Sequence, residues 1–198
     1  MKLIAYFLAF GWLSLGEGIL QLNVSKEIFG NVTFVEHPDY LAMAVSFSAV
    51  SRLHEQLEKR LGRSLLSRPE AHVTVITPPE WAKLRQHLTV AEINKIALDS
   101  KIQSLPWKVV GLGSGRVRLE GVLEETYFIL IRSEGLLTIR RKIAQKYQLA
   151  GGAPKDFVAD HFFPHITIAF TKRDLHEGDG VVKSVEKSQD SRFKLSVE

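Results

Sequence analysis

The sequence predicts an α+β fold made from one lobe that occurs twice. Three observations carry this reading. A strand, a helix and a short strand follow one another at residues 40–77 and again at residues 126–170. Each closing strand opens on His-x-Thr, as His72-Val73-Thr74 and as His165-Ile166-Thr167. Within each copy the apolar spacing passes from alternation to a helical stripe and back to alternation. The length of 198 residues suits one domain of two similar lobes and is enough for a core without covalent staples.

Residues 1–18 (MKLIAYFLAFGWLSLGEG) are expected to be a signal peptide. Lys2 gives the positive start, residues 3–15 are apolar except at Gly11 and Ser14, and Ser14 and Gly16 supply small residues for cleavage. The run is shorter than the roughly 20 residues a membrane span needs. Residues 19–198 then form a single bilobal domain, secreted or periplasmic, or cytoplasmic if the leader is not a signal. Asn23 and Asn31 open glycosylation sequons, which matter only in a eukaryotic secretory pathway.

In the first copy, residues 40–48 alternate. Leu41, Met43, Val45 and Phe47 share one face and the small Ala42, Ala44, Ser46 and Ser48 the other. Residues 50–63 place Leu53, Leu57 and Leu61 on one helical stripe, ending near Gly62 and Pro69. Residues 72–77 are a strand stopped by Pro78-Pro79. In the second copy, residues 126–133 are a strand, residues 134–149 a helix carrying Leu136, Ile139, Ile143 and Tyr147, and residues 165–170 a strand entered through Pro164. A longer loop precedes the second His.

Between the copies, residues 80–88 read as a helix. Residues 89–102 read as another, with Thr89 and Glu92 forming a capping box. Expected strands at 107–110 and 116–119 flank Gly111-Leu112-Gly113-Ser114-Gly115. A phosphate-binding glycine loop opens a helix. This run leads into strand-like alternation, so it is expected to be a hairpin turn or bulge. Residues 191–197 close the chain as a strand.

The chemistry follows from the paired motifs. In a strand, residues i and i+2 share a face, so His72 projects with Thr74 and His165 with Thr167. If an approximate two-fold axis relates the lobes, two imidazoles flank one small site with a hydroxyl beside each. That suits phosphodiester cleavage. A neutral imidazole takes the proton of the attacking water or hydroxyl, and an imidazolium protonates the leaving oxygen. The ordinary His pKa of about 6.5 keeps both forms available. The Thr hydroxyls donate to the non-bridging oxygens, where charge grows.

No metal or other cofactor is called for. Seven His, no Cys and a formal charge of +4 exclude a disulfide scaffold, a Cys-containing zinc site and a Cys nucleophile. The charge permits an anionic partner without demanding one.

The motifs His72-Val73-Thr74-Val75 and His165-Ile166-Thr167-Ile168 resemble those of the 2H phosphoesterase superfamily. The stretches 159–165 and 170–176 (ADHFFPH and FTKRDLH) are most similar to its Swiss army knife, RNA-repair-like and LigT-like cyclic phosphodiesterase members. The resemblance implies a bilobal α+β fold with two antiparallel-type sheets and flanking helices around a central cleft. It makes His72 and His165 the acid and base in an order left open, and Thr74 and Thr167 the phosphate-binding hydroxyls. The expected activity is phosphoric diester hydrolysis of a 2′,3′-cyclic phosphate, a 2′,5′ linkage or a cyclic nucleotide. The expected partner is a cyclic nucleotide or short RNA, acted on by a monomer. A non-catalytic RNA- or nucleotide-binding protein that retains the cleft is the alternative. A structural or interaction domain would not unite positions 72 and 165.

Lys172 and Arg173 are candidates to hold a substrate phosphate at the rim, against a solvated strand end. His161 and His165 have i, i+4 spacing, but Pro164 argues against a helical metal pair. Phe157, Phe162 and Phe163 suit either base stacking or packing. His37, His54 and His87 are expected to be structural.

Overall fold

Two three-stranded antiparallel sheets, each interrupted by a helix before its last strand, frame the site. The computed structural model describes residues 19–29, 34–36 and 39–198. The expected signal peptide, Asn31 and His37 lie outside the described residues. In the first sheet, β2 (Phe34–Glu36) pairs with β3 (Leu41–Ala44) and β3 with β4 (His72–Ile76). Helix α1 (Phe47–Leu61) joins β3 to β4. In the second, β5 (Lys108–Leu119) pairs with β6 (Val122–Arg132) and β6 with β7 (His165–Phe170). Helix α4 (Glu134–Leu149) joins β6 to β7. The duplicated order read from the sequence is therefore present, in a mixed α+β fold.

The helices form where the apolar stripes place them. Leu53 and Leu57 are buried on α1, which ends at Gly62 with φ 66, a left-handed conformation that glycine adopts without strain. The first strand is shorter than its alternation suggested. Phe47 and Ser48 belong to α1, and Phe47 is exposed. Helices α2 (Pro78–Leu84) and α3 (Val90–Asp99) begin at Thr77 and Thr89, each with a complete capping box. Pro78-Pro79 ends the strand and occupies the first helical positions, where a missing N–H costs nothing.

The glycine run departs from the expected turn. Residues 108–119 are one continuous strand, β5, and the hairpin turn falls at Glu120-Gly121. Only the bulge survives, as a register shift between Val109 and Gly111. The reason is close approach. A Cβ on Gly113 would lie 2.3 Å from the Phe128 ring, and one on Gly115 2.2 Å from Val181. These glycines are flat places in a sheet where other side chains lie down.

A third sheet is a parallel pair, β1 (Leu20–Val24) with β8 (Phe193–Val197). The closing strand was legible, but its partner was not. A short helix, α5 (Val185–Ser188), precedes it. Among the described residues no helix is long and apolar enough to cross a membrane.

The two copies interlock. Helix α1 approaches β7 and α4 approaches β4, while β4 and β7 bring Cα atoms within 8 Å of one another. Leu66 and Phe170 exchange backbone hydrogen bonds of 2.8 and 2.9 Å across this junction. Buried Arg140 on α4 fastens it. Its guanidinium donates to the Val75 carbonyl (2.7 Å), to both oxygens of Glu80, and to the carbonyls of Val158, Ala159 and His161. One planar fork thus ties β4 to the segment that leads into His165. Phe157 and Phe162 lie against it, with ring centres 4.7 and 4.9 Å away, so both pack the fold.

Candidate active site

Strand alternation sorts β4 and β7 as expected. Val73, Val75, Ile166 and Ile168 are buried in the core, and His72, Thr74, His165 and Thr167 lie on the opposite faces, half-buried. The cross-strand neighbours differ. His72 and Thr74 pair with Ala44 and Ala42. His165 and Thr167 pair with Leu130 and Phe128.

On the first side, the Nδ1 of His72 meets the Glu70 carboxylate at 2.5 Å. With Nδ1–H donated to Glu70, Nε2 is the nitrogen free to exchange a proton. The Tyr40 ring lies 5.7 Å from the imidazole. Burial raises the Tyr40 phenol above its usual range, and the Glu70 and Asp39 carboxylates add to that. The Thr74 hydroxyl makes no hydrogen bond among the described residues.

The second side is a closed network. His165 Nδ1 bonds the Phe163 carbonyl at 2.8 Å, so Nδ1 carries the hydrogen and Nε2 the lone pair. That lone pair faces Lys183 Nζ at 3.2 Å. Asp174 is the hub. Its carboxylate accepts from Thr126 (2.7 Å), Lys183 (2.8 Å), Thr167 (2.9 Å) and Arg68 (3.3 Å), and the His176 ring stands 3.9 Å away. Burial pushes the Asp174 carboxyl up, but Lys183 and the Thr126 hydroxyl outweigh it and hold it well below the usual carboxylate range. Burial and then the Lys183 charge press His165 down to about 3.

Arg68, four residues before His72, reaches the second side. It bonds Asp174, and its charge acts on Tyr40 beside His72 as well as on Lys183 and His176. Arg68, Glu70, Asp174 and Lys183 were not singled out in the sequence. Acidic and basic residues at two and four positions before a His-x-Thr strand were the available signal for the first two.

Lys172 is exposed at the end of β7 and makes no ion pair among the described residues. Arg173 is held bidentate by Asp179 at 2.6 and 2.9 Å, so its charge is already compensated. His161 bonds Glu177 (3.0 Å), His54 the Leu65 carbonyl and His87 the Ala150 carbonyl. Among the described residues no three His, Asp or Glu side chains are grouped to hold a metal ion.

Comparison with curated proteins gives no match, and comparison with solved structures gives none. A family model, the Swiss Army Knife 2H phosphoesterase domain, matches residues 39–176. That span contains both His-x-Thr strands together with Arg68, Glu70 and Asp174, and the chain belongs to this family of 2H phosphoesterases, which are generally phosphodiesterases.

Proposed function

We propose that the protein is a phosphodiesterase that opens a 2′,3′-cyclic phosphate, cleaves a 2′,5′ linkage or hydrolyses a cyclic nucleotide, with His72 and His165 as acid and base and no metal. The observation that carries the reading is the approach of β4 to β7, whose Cα atoms come within 8 Å of one another. A nucleotide-type substrate is what the family implies.

The environments suggest an order for the two imidazoles. A ring pressed to about 3 is neutral at neutral pH, so it has a lone pair to accept a proton and none to give. His165 is therefore the base. Its Nε2 takes a proton from the attacking water or hydroxyl as the new P–O bond forms. His72 is the acid, and its Nε2 delivers a proton to the oxygen that leaves as the old P–O bond breaks. The phosphodiester's own negative charge opposes that of Lys183 and raises the basicity of His165 when it is needed.

Thr74, with its hydroxyl unengaged among the described residues, donates to a non-bridging oxygen. Thr167 donates to Asp174 and must rotate its hydroxyl to do the same. Arg68 and Lys172 supply cations, and Arg173 joins them only when its pair with Asp179 opens.

The test is turnover in EDTA of a 2′,3′-cyclic nucleotide and a 2′,5′-linked dinucleotide. His72→Ala and His165→Ala are each expected to lose about 10²–10⁴-fold. Undiminished turnover in both variants sinks the mechanism. Tight binding without turnover by the wild type favours a binding protein.

A further inference from the structure

Lys183 lies beyond the matched residues 39–176, yet its ammonium reaches the centre of the second half-site. Its side chain is 4% exposed. Nζ donates to Asp174 Oδ1 at 2.8 Å, faces His165 Nε2 at 3.2 Å and sits 5.1 Å from the centre of the Phe128 ring. A buried lysine is costly unless paired, and neutralising Asp174 is one reason for its presence. That reason does not account for its contact with the imidazole, since Arg68 also pairs with Asp174.

The chain builds a berth for this lysine. Phe128 lies across Gly113, and Val181 rests on Gly115. Asp190 N bonds the Leu112 carbonyl at 2.9 Å, and Gln189 bridges to Gly113. The segment carrying Lys183 is therefore seated on the glycine stretch of β5, where any side chain would displace it.

We infer that Lys183 is a positioning residue: pinned by Asp174, its ammonium keeps His165 a neutral ring with its lone pair on Nε2, so this half of the pair begins each turnover as the proton acceptor. The inference rests on the phosphodiesterase reading above. The groups that bear on His165 are Lys183, Asp174 and His176, with the Phe163 carbonyl on Nδ1. Arg68 and Asp179 act on Lys183 in turn. Asp174 favours the imidazolium, whereas burial, Lys183 and His176 oppose it.

The experiment is an NMR titration of the His165 ring in wild type, Lys183→Met and Lys183→Arg, with kcat/KM against pH for the same proteins. In the wild type the ring stays neutral down to about pH 3, and kcat/KM shows no acid limb from His165 above that. Lys183→Met raises the midpoint by about one unit or more and brings an acid limb into view. Lys183→Arg, which keeps the charge, restores the wild-type position. If Lys183→Met fails to fold, Lys183→Gln keeps a donor for Asp174 while removing the charge and gives the same readout. A lysine needed only for folding would change stability and leave the midpoint where it was, and an unmoved midpoint in a folded neutral variant overturns the inference. If the midpoint moves but the wild type hydrolyses no phosphodiester, the functional reading fails while the control of His165 by Lys183 stands.

Discussion

The two half-sites share a tripeptide and little else. His72 sits beside the small Ala42 and Ala44, with a half-exposed carboxylate on its Nδ1 and, next to it, a threonine unengaged among the described residues. His165 sits beside Leu130 and Phe128, with a backbone carbonyl on Nδ1, a buried lysine at Nε2 and a threonine tied to Asp174. A duplicated strand thus places its two imidazoles in different surroundings because its neighbours differ. The open side has a carboxylate beside the ring. The closed side has a cation where a proton would go. The acid and base proposed above would draw on this asymmetry.

The largest expected effect separates the two roles directly. With a nitrophenyl phosphodiester, whose leaving group needs little protonation, His72→Ala should recover most of its roughly 10²–10⁴-fold loss and His165→Ala should not. Steady-state rates on both substrates check this. Equal recovery by the two variants breaks the assignment.

A smaller effect lies in stability. Below pH 6.5 an unfolded chain takes up the proton that folded His165 refuses until about pH 3. Stability should therefore fall as pH drops through that window, on the order of 3–4 kcal/mol once partial access of water to the ring is allowed for. Urea titrations of wild type and His165→Gln across pH 3–7 would show the slope flattened in the variant. The Asp174 contribution has the other window. It is full above the ordinary Asp value and is lost only as pH falls below it.

The smallest effect belongs to Glu70. It is exposed and hydrogen-bonds the His72 ring, so Glu70→Gln should lower kcat by about tenfold and leave folding stability within about 0.5 kcal/mol. A loss as deep as that of His72→Ala would mean that the carboxylate itself exchanges the proton.

Local pattern made much of this legible. The limits of α4 and β7, the capping box at Thr89 and the facing of both His-x-Thr motifs follow from periodicity and short-range hydrogen bonding, which a sequence displays openly. The glycine run was misread because the signal for a turn and the signal for close packing are the same residue. Which one applies depended on Phe128 and Val181, neither adjacent in sequence. Asp174 and Lys183 were hidden for a related reason. Their meaning lies in a pairing with each other, with Arg68 and with His165 that exists only once the chain has folded. The partner of β8 was hidden likewise, since parallel pairing of Leu20–Val24 with Phe193–Val197 joins opposite ends of the chain.

The bare stretch of β5 has a consequence for how such an enzyme is divided. A fragment cut at the limits of the family match would keep both histidines and both threonines. It would lose Val181, Lys183 and the strand that anchors them, and leave a strip of naked backbone beside Phe128. Such a fragment would keep both His-x-Thr motifs while lacking the ammonium that faces His165. The seat of that lysine's segment rests, at Gly113 and Gly115, on two hydrogen atoms standing where methyl groups would not fit.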